Sequence, residues 1–252
     1  MGILDTLRAR QREGKKSIAV LIDPDKIDDS TQLQYLINLA SENCVDFFLV
    51  GGSLVTTTNL AEVVKQIKDC VTIPVLLFPG NSMQIEPLAD GLLFLSLISG
   101  RNPELLIGQH VIAAPIIRNT KLEILSTGYM LINSGRTTSV AYISNTTPIP
   151  EDKYSLAACT AMAGEMLGLQ LNYMDAGSGA ESAISPKMIS AVRKAIKSPL
   201  IVGGGINTCQ KAVTALEAGA DMIVVGNSLE KNPDLLIEIA DKIYEWNQSV
   251  TK

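Results

Sequence analysis

Short apolar runs alternate with amphipathic stretches along the whole chain. Ser17 to Asp23 holds five consecutive apolar residues, Ile18 to Ile22. Such a run predicts a strand buried on both faces, as in a parallel sheet. The same reasoning places strands at Phe47–Val50, Pro74–Phe78, Gly91–Ile98, Gly128–Ile132, Leu169–Asp175, Leu200–Val202 and Met222–Val225. Between them the apolar positions recur at helical spacing. One helix begins near Ser30 and buries Leu33, Leu36, Ile37 and Leu39; others cover Asn59–Lys68, Tyr154–Leu167, Thr208–Ala218 and residues 233–247. A short helix is expected around Ser82–Ala89, and another over residues 103–114, with Pro115, Ile116 and Ile117 left for a turn. Residues 2–15 read as a helix that closes the bottom of the domain. Asn133 to Pro150 is rich in Ser, Thr, Asn and Pro and reads as a long loop over the active face.

Eight strands alternating with helices predict a single (β/α)8 TIM barrel spanning residues 1–252, with the barrel itself over about 17–247. The length of 252 residues agrees with the ~250 typical of that fold. A net charge of −5 argues against a nucleic-acid partner. The four cysteines, Cys44, Cys70, Cys159 and Cys209, are widely spaced and form no CxxC pair, so neither a metal cluster nor a disulfide framework is expected. The apolar runs are of strand length, too short to span a bilayer. With no secretory leader visible, a cytoplasmic location with reduced thiols is expected; peripheral contact with a membrane is compatible with it.

The candidate chemistry lies at the predicted strand ends, because in this fold they all point to one mouth. Gly203, Gly204 and Gly205 follow one strand, and Gly226 and Asn227 follow the next. Two such turns on adjacent strands would present backbone N–H groups to a phosphate; the alternative is that the glycines only make tight turns. Asp23 ends the first strand, where an unpaired carboxylate would be costly. It is a candidate Mg2+ ligand, with Ser53 at the next strand's end as a second oxygen; the alternative is a cap on the following turn. Asp25 and Lys26 read as a solvated turn. Alternation puts Tyr173 and Asp175 on one face of the sixth strand, where a carboxylate and a phenol would position a substrate hydroxyl and take its proton. Asp175 has a structural alternative, a bond to the Gly turn after it. Ser178 and its flanking glycines are further phosphate-binding candidates. His110, the one histidine, falls in a predicted helix away from the strand ends and reads as a surface or helix-terminus residue, which disfavours His-based nucleophilic catalysis.

The run from Leu21 to Lys26, the Val50–Ser53 turn, the segment from Tyr173 to Ala180, the Gly203–Gly205 turn and the Val225–Asn227 turn together resemble the geranylgeranylglyceryl phosphate synthases, along essentially the whole chain. The resemblance implies a TIM barrel that joins a prenyl diphosphate to the C3 hydroxyl of sn-glycerol 1-phosphate, releasing diphosphate and using Mg2+. It implies metal binding by Asp23 and Ser53. It implies glycerol-phosphate binding by Tyr173, Met174, Asp175, Ala176, Gly177, Ser178, Gly179, Gly203, Gly204, Gly226 and Asn227. It also implies a homo-oligomer, a dimer or a hexamer. The loop 133–150, with its Thr146–Pro150 stretch, is similar to the larger, archaeal-type group, for which a geranylgeranyl (C20) donor is expected. Two positions depart from the pattern. Asp175 stands where the family usually has Glu, and Leu21 stands where the shorter relatives have Lys. A prenyl tail needs an apolar trough, for which Phe78, Leu95, Leu97 and Ile98 are candidates. Competing readings are a sugar-phosphate isomerase or aldolase on the same barrel and a non-catalytic prenyl-phosphate-binding protein.

Overall fold

The computed structural model describes residues 2–27 and 29–251; Met1 and Lys252, the ends of the predicted span, lie outside the described residues. Eight parallel strands close into a barrel in chain order. They are β1 (Ser17–Ile22), β2 (Phe47–Val50), β3 (Val75–Leu77), β4 (Gly91–Leu97), β5 (Glu123–Leu131), β6 (Leu171–Asp175), β7 (Leu200–Gly203) and β8 (Met222–Val225). The ring closes where β8 pairs with β1, Ser17 opposite Met222 and Val20 opposite Val225. β2, β3, β7 and β8 are apolar almost throughout because each buries both faces. Ile18, Val20 and Ile22 of β1 pack outward against the helices. Ala19 packs inward with Leu49, Leu76, Leu93, Leu125 and Ile201, which fill the barrel.

The helices are α1 (Ile3–Arg12), α2 (Ser30–Glu42), α3 (Leu60–Cys70), α4 (Gln109–Ile117), α5 (Ser139–Ser144), α6 (Tyr154–Met166), α7 (Pro186–Ala195), α8 (Cys209–Glu217), α9 (Asn227–Lys231) and α10 (Asp234–Val250). α1 closes the N-terminal end of the barrel by adding Ile3, Leu4 and Leu7 to the inner core. Its first N–H groups, which no residue of its own caps, are taken by the Glu123 carboxylate at 2.6 Å from Ile3 N and 2.9 Å from Leu4 N.

Several predicted boundaries are corrected. Ser82–Ala89 forms turns, not a helix. Asn81 and Glu86 accept hydrogen bonds from the N–H groups of Met83 and Leu88, two residues on, an arrangement that competes with helix. Residues 103–114 begin with a π-helical turn, Glu104–Gly108, and α4 then continues through Pro115 to Ile117. Pro115 is exposed, as is Val111, whose carbonyl loses the N–H it would have bonded, so water can replace that bond. β5 starts at Glu123 rather than Gly128, because Glu123–Tyr129 pair residue for residue with Gly91–Leu97. The loop 133–150 contains α5. α7, unpredicted as a separate element, starts with signals the sequence does carry: Ser185 caps it by accepting from Met188 N, and Pro186 occupies the first turn.

Candidate active site

At the C-terminal end of the barrel the inner layer is aromatic. Phe78 stacks on Tyr173 with ring centroids 5.2 Å apart, and Tyr129 lies 5.5 Å from Tyr173 and 6.0 Å from Phe78. β5 and β6 pair with Tyr129 directly opposite Tyr173, so the two phenols share one face. Asp175 stands one step above them. Its Oδ2 accepts from the Tyr129 hydroxyl at 2.6 Å, and its Oδ1 from the Gly177 N–H at 2.7 Å. Only 7% of Asp175 is exposed. Burial raises its pKa above the ordinary carboxylate value, against the pull of those two hydrogen bonds. The result is a carboxylate that is fixed in position and more basic than an exposed Asp. Tyr129 was not singled out in the sequence, because its partnership depends on strand register.

Beside this carboxylate the β6 and β7 turns interlock. Gly204 has φ +78° and Gly205 φ +69°. A Cβ on Gly204 would lie 2.6 Å from Asp175 Oδ1 and 2.7 Å from the amide nitrogens of Ala176 and Gly177. Gly203 leaves room for the Tyr173 phenol. The N–H groups of Ala176 and Gly177 are already used, by Gly203 O and Asp175 respectively. Those of Ser178, Gly179, Gly204 and Gly205 have no partner among the described residues, nor do those of Gly226 and Asn227, so both Gly turns and the β6 turn keep donors open to an anion. The side chains of Met174 and Ala176 lie in the outer core, away from the mouth, so only their main chain takes part. Asn227 ties the rim together: its amide donates to Ser178 Oγ at 2.7 Å, and its carbonyl accepts from Lys26 Nζ at 2.5 Å. Gly204→Ala is expected to destabilise the fold by about 1–3 kcal/mol from overpacking, with roughly 1–2 kcal/mol more for the left-handed backbone. Urea denaturation measures this, and an unchanged midpoint would mean that the turn is free to relax.

Across the mouth, Asp23 caps the turn after β1 by accepting from Asp25 N at 3.2 Å. Its other oxygen is 3.4 Å from Lys26 Nζ, which also lies 3.7 Å from Glu230. Ser53, at the end of β2, lines the same cavity. Among the described residues no cluster of three metal-ligating side chains occurs. A single carboxylate with a hydroxyl nearby fits Mg2+ only where the ion takes most of its oxygens from a phosphorylated substrate and water. Asp25 and Lys26 are not a solvated turn. Asp25 accepts from the backbone and hydroxyl of both Thr56 and Thr57 at 2.7–3.0 Å. Despite some desolvation, those bonds hold its carboxyl at a pKa of about 2. Gln84, buried and unpredicted, joins Gly52 and Gly80 through three hydrogen bonds and braces the rim near Ser53.

The cavity measures ≈ 1120 Å³ and has a second, apolar arm. Phe78, Leu95 and Leu97 line it as expected, together with Leu105, Ala113, Val140 and Ile143. Ile98 does not; its side chain fills the space beside Gly128 and Gly164, between β5 and α6. His110 is half-buried in the first turn of α4, a helix-terminus residue as one of the expected alternatives had it, but not a free surface residue. It faces this arm, edge-on to Phe94 at 4.5 Å, and burial pushes its pKa down. Leu21 sits at the base of the mouth against Gly226.

Fold and mouth together define a (β/α)8 barrel whose unpartnered backbone donors, buried carboxylate and apolar arm share one cavity. The PcrB family pattern matches residues 10–244, and the chain belongs to this family. It is 56% identical over 246 residues, 98% of each chain, to a geranylgeranylglyceryl phosphate synthase of Spirosoma linguale. It is 53% identical over 235 residues, 93% of each chain, to one of Chitinophaga pinensis. The (S)-3-O-geranylgeranylglyceryl phosphate synthase of Thermoplasma acidophilum, solved in complex with sn-glycerol-1-phosphate, superposes with a TM-score of 0.91 at 31% identity, covering 97% of this chain and 99% of its own. The chain is thus an enzyme of the geranylgeranylglyceryl phosphate synthase family, as its motifs led us to expect. No helix among the described residues is long and apolar enough to cross a membrane.

Proposed function

We propose that this enzyme transfers a geranylgeranyl group from its diphosphate to the C3 hydroxyl of sn-glycerol 1-phosphate, releasing diphosphate. The observation that carries this reading is the junction of two unlike subsites at a basic, buried carboxylate. Unpartnered N–H groups of Ser178, Gly179, Gly204 and Gly205 suit the phosphate of a small acceptor. The arm past Leu95, Leu97 and Val140 suits a long hydrocarbon tail. Asp175 stands beside the Gly turns, placed to accept the proton of the attacking hydroxyl or to orient it. Tyr129 fixes that carboxylate from below, and Tyr173 forms the floor under the acceptor. Asp23 and Ser53 would hold Mg2+, which when bound offsets the negative charge that develops on the departing diphosphate. The oxygen–carbon bond forms at the allylic C1 of the donor as the carbon–oxygen bond to diphosphate breaks. The acceptor's proton leaves by way of Asp175.

A Schiff-base aldolase or His-dependent isomerase finds less support. Lys26 is held by Asp23, Asn227 and Glu230, and His110 lies in the apolar arm. We read the enzyme as a cytoplasmic homo-oligomer. Ile107, Val111, Ile112 and Ile116 are exposed on and beside a helix without Asp, Glu, Lys or Arg, which supports either a subunit contact or peripheral membrane contact. Incubation with sn-glycerol 1-phosphate and a ladder of prenyl diphosphates, with and without Mg2+, tests the reading by mass spectrometry of the products. The expected result is a Mg2+-dependent ether with C20 preferred. A clear preference for C35, or turnover without Mg2+, would overturn the corresponding part.

A further inference from the structure

Against the turn that carries the unpartnered N–H groups of Ser178 and Gly179 lies a cation that motif reading passed over. Arg136 lies in the segment after β5, and its guanidinium sits directly on the β6 turn: a Cβ on Gly179 would be 2.6 Å from Arg136 Nη2. The segment is buried on both sides of Arg136 and docks on the turn through Thr138. Ser134 and Thr138 are 2% and 6% exposed. The Thr138 side chain packs on Gly177, where a Cβ would meet its hydroxyl and methyl at 2.8 Å. Arg136 itself is exposed, lines the cavity, and makes no hydrogen bond or ion pair with any described residue. The other cations lining the cavity are placed differently. Lys26 is held by three partners, and Lys231 ends α9, after the Gly226–Asn227 turn and on a different strand end from Gly179. A guanidinium presents a planar fork of donors that matches a phosphate better than a point charge does. Holding one without a partner beside the open N–H groups of the Ser178–Gly179 turn makes sense if an anion completes the arrangement.

We propose that Arg136 binds the phosphate group of the three-carbon acceptor, closing the Gly-turn cradle from the β5 side. The inference rests on the prenyl-transfer reading for the identity of that acceptor. It assigns Arg136 to the acceptor and not to the prenyl diphosphate, because Asp23 and Ser53 stand at the β1 and β2 ends, across the mouth from β5 and β6. Arg136 touches substrate in this scheme but takes no part in bond making.

Calorimetric titration of the full-length enzyme with sn-glycerol 1-phosphate tests it, on wild type, Arg136→Ala and Arg136→Lys, alongside steady-state kinetics in both substrates. Losing one charge-assisted pair is expected to weaken acceptor binding by about ten- to a hundredfold in Arg136→Ala. The acceptor KM should rise in step, while kcat at saturation and the prenyl diphosphate KM stay within about threefold. Arg136→Lys keeps the charge but loses the fork, and should fall between the two. Failure of wild type to bind sn-glycerol 1-phosphate would overturn the functional reading and this inference with it. Wild-type binding with equal affinity in Arg136→Ala would overturn the role of Arg136 alone. A rise confined to the prenyl diphosphate KM would assign the guanidinium to the other substrate and refute the proposal.

Discussion

Asp175→Asn is expected to slow the chemical step by about 10²–10⁴-fold, the usual worth of general-base assistance, with acceptor affinity within a few-fold of wild type. The substitution is close to isosteric. The Asn carbonyl can accept from Gly177 N–H and its amide can donate to the Tyr129 oxygen, so both contacts of the native carboxylate have a counterpart. A loss of rate therefore reports on the missing base rather than on a collapsed turn. The pH dependence has a defined sign. Burial raises the Asp175 pKa in the folded protein, and the ionised form is the base. Activity should fall as pH drops through that raised value, at a higher pH than an exposed Asp would titrate. Tyr129→Phe removes a bond that favours the charged form and should move this acid limb to higher pH. Stability runs the other way. A raised folded pKa contributes stability that is fully present below the unfolded value of about 3.9 and is lost as pH rises through the folded one. Asp175→Asn should therefore be at least as stable as wild type at neutral pH, since it removes a buried charge. Single-turnover rates decide the matter. An unchanged chemical step would leave Asp175 with the role of tying the β6 turn together.

Asp23→Asn should abolish most Mg2+-dependent turnover, on the order of 10³-fold or more, as a Lewis acid contributes several kcal/mol of charge stabilisation at a leaving diphosphate. Acceptor binding should survive, because Asp23 makes no hydrogen bond to the Gly203–Gly205 or Ser178–Gly179 turns and Asn can still accept from Asp25 N. Lys26 loses one ionic neighbour but keeps Asn227 and Glu230. Calorimetry with sn-glycerol 1-phosphate and an Mg2+ titration of activity separate these effects. Near-normal turnover with an unchanged Mg2+ requirement would move the ion elsewhere.

The barrel was legible in the sequence because its signals are local. A strand buried on both faces must be apolar at consecutive positions, and a sharp turn at its end must carry glycine. Eight such strands could be read off in order, and β1, β2, β7 and β8 came within a residue or so of their observed bounds. The shared face of Tyr173 and Asp175 followed from the two-residue period of a strand. Local signals misled where side chains compete with the backbone, as at Ser82–Ala89, and where a helix tolerates proline on its wet side, as at Pro115.

What the residues of one strand mean to those of the next is a different matter. Tyr129 became the partner of Asp175 only through the register that sets it opposite Tyr173. Gln84 joins two turns from a segment with no regular structure. Lys26 and Asp25, apparently a solvated pair, are drawn into the rim by groups 31 and 201 residues away. Arg136 stands over Gly179 because the segment it belongs to packs on the neighbouring turn, with Thr138 against Gly177. The sequence by itself determined the strands, the turns and the chemistry available at their ends, since each depends on near neighbours along the chain. Only the closed barrel decided which groups meet, because strand register and loop docking arise from packing between segments far apart in sequence.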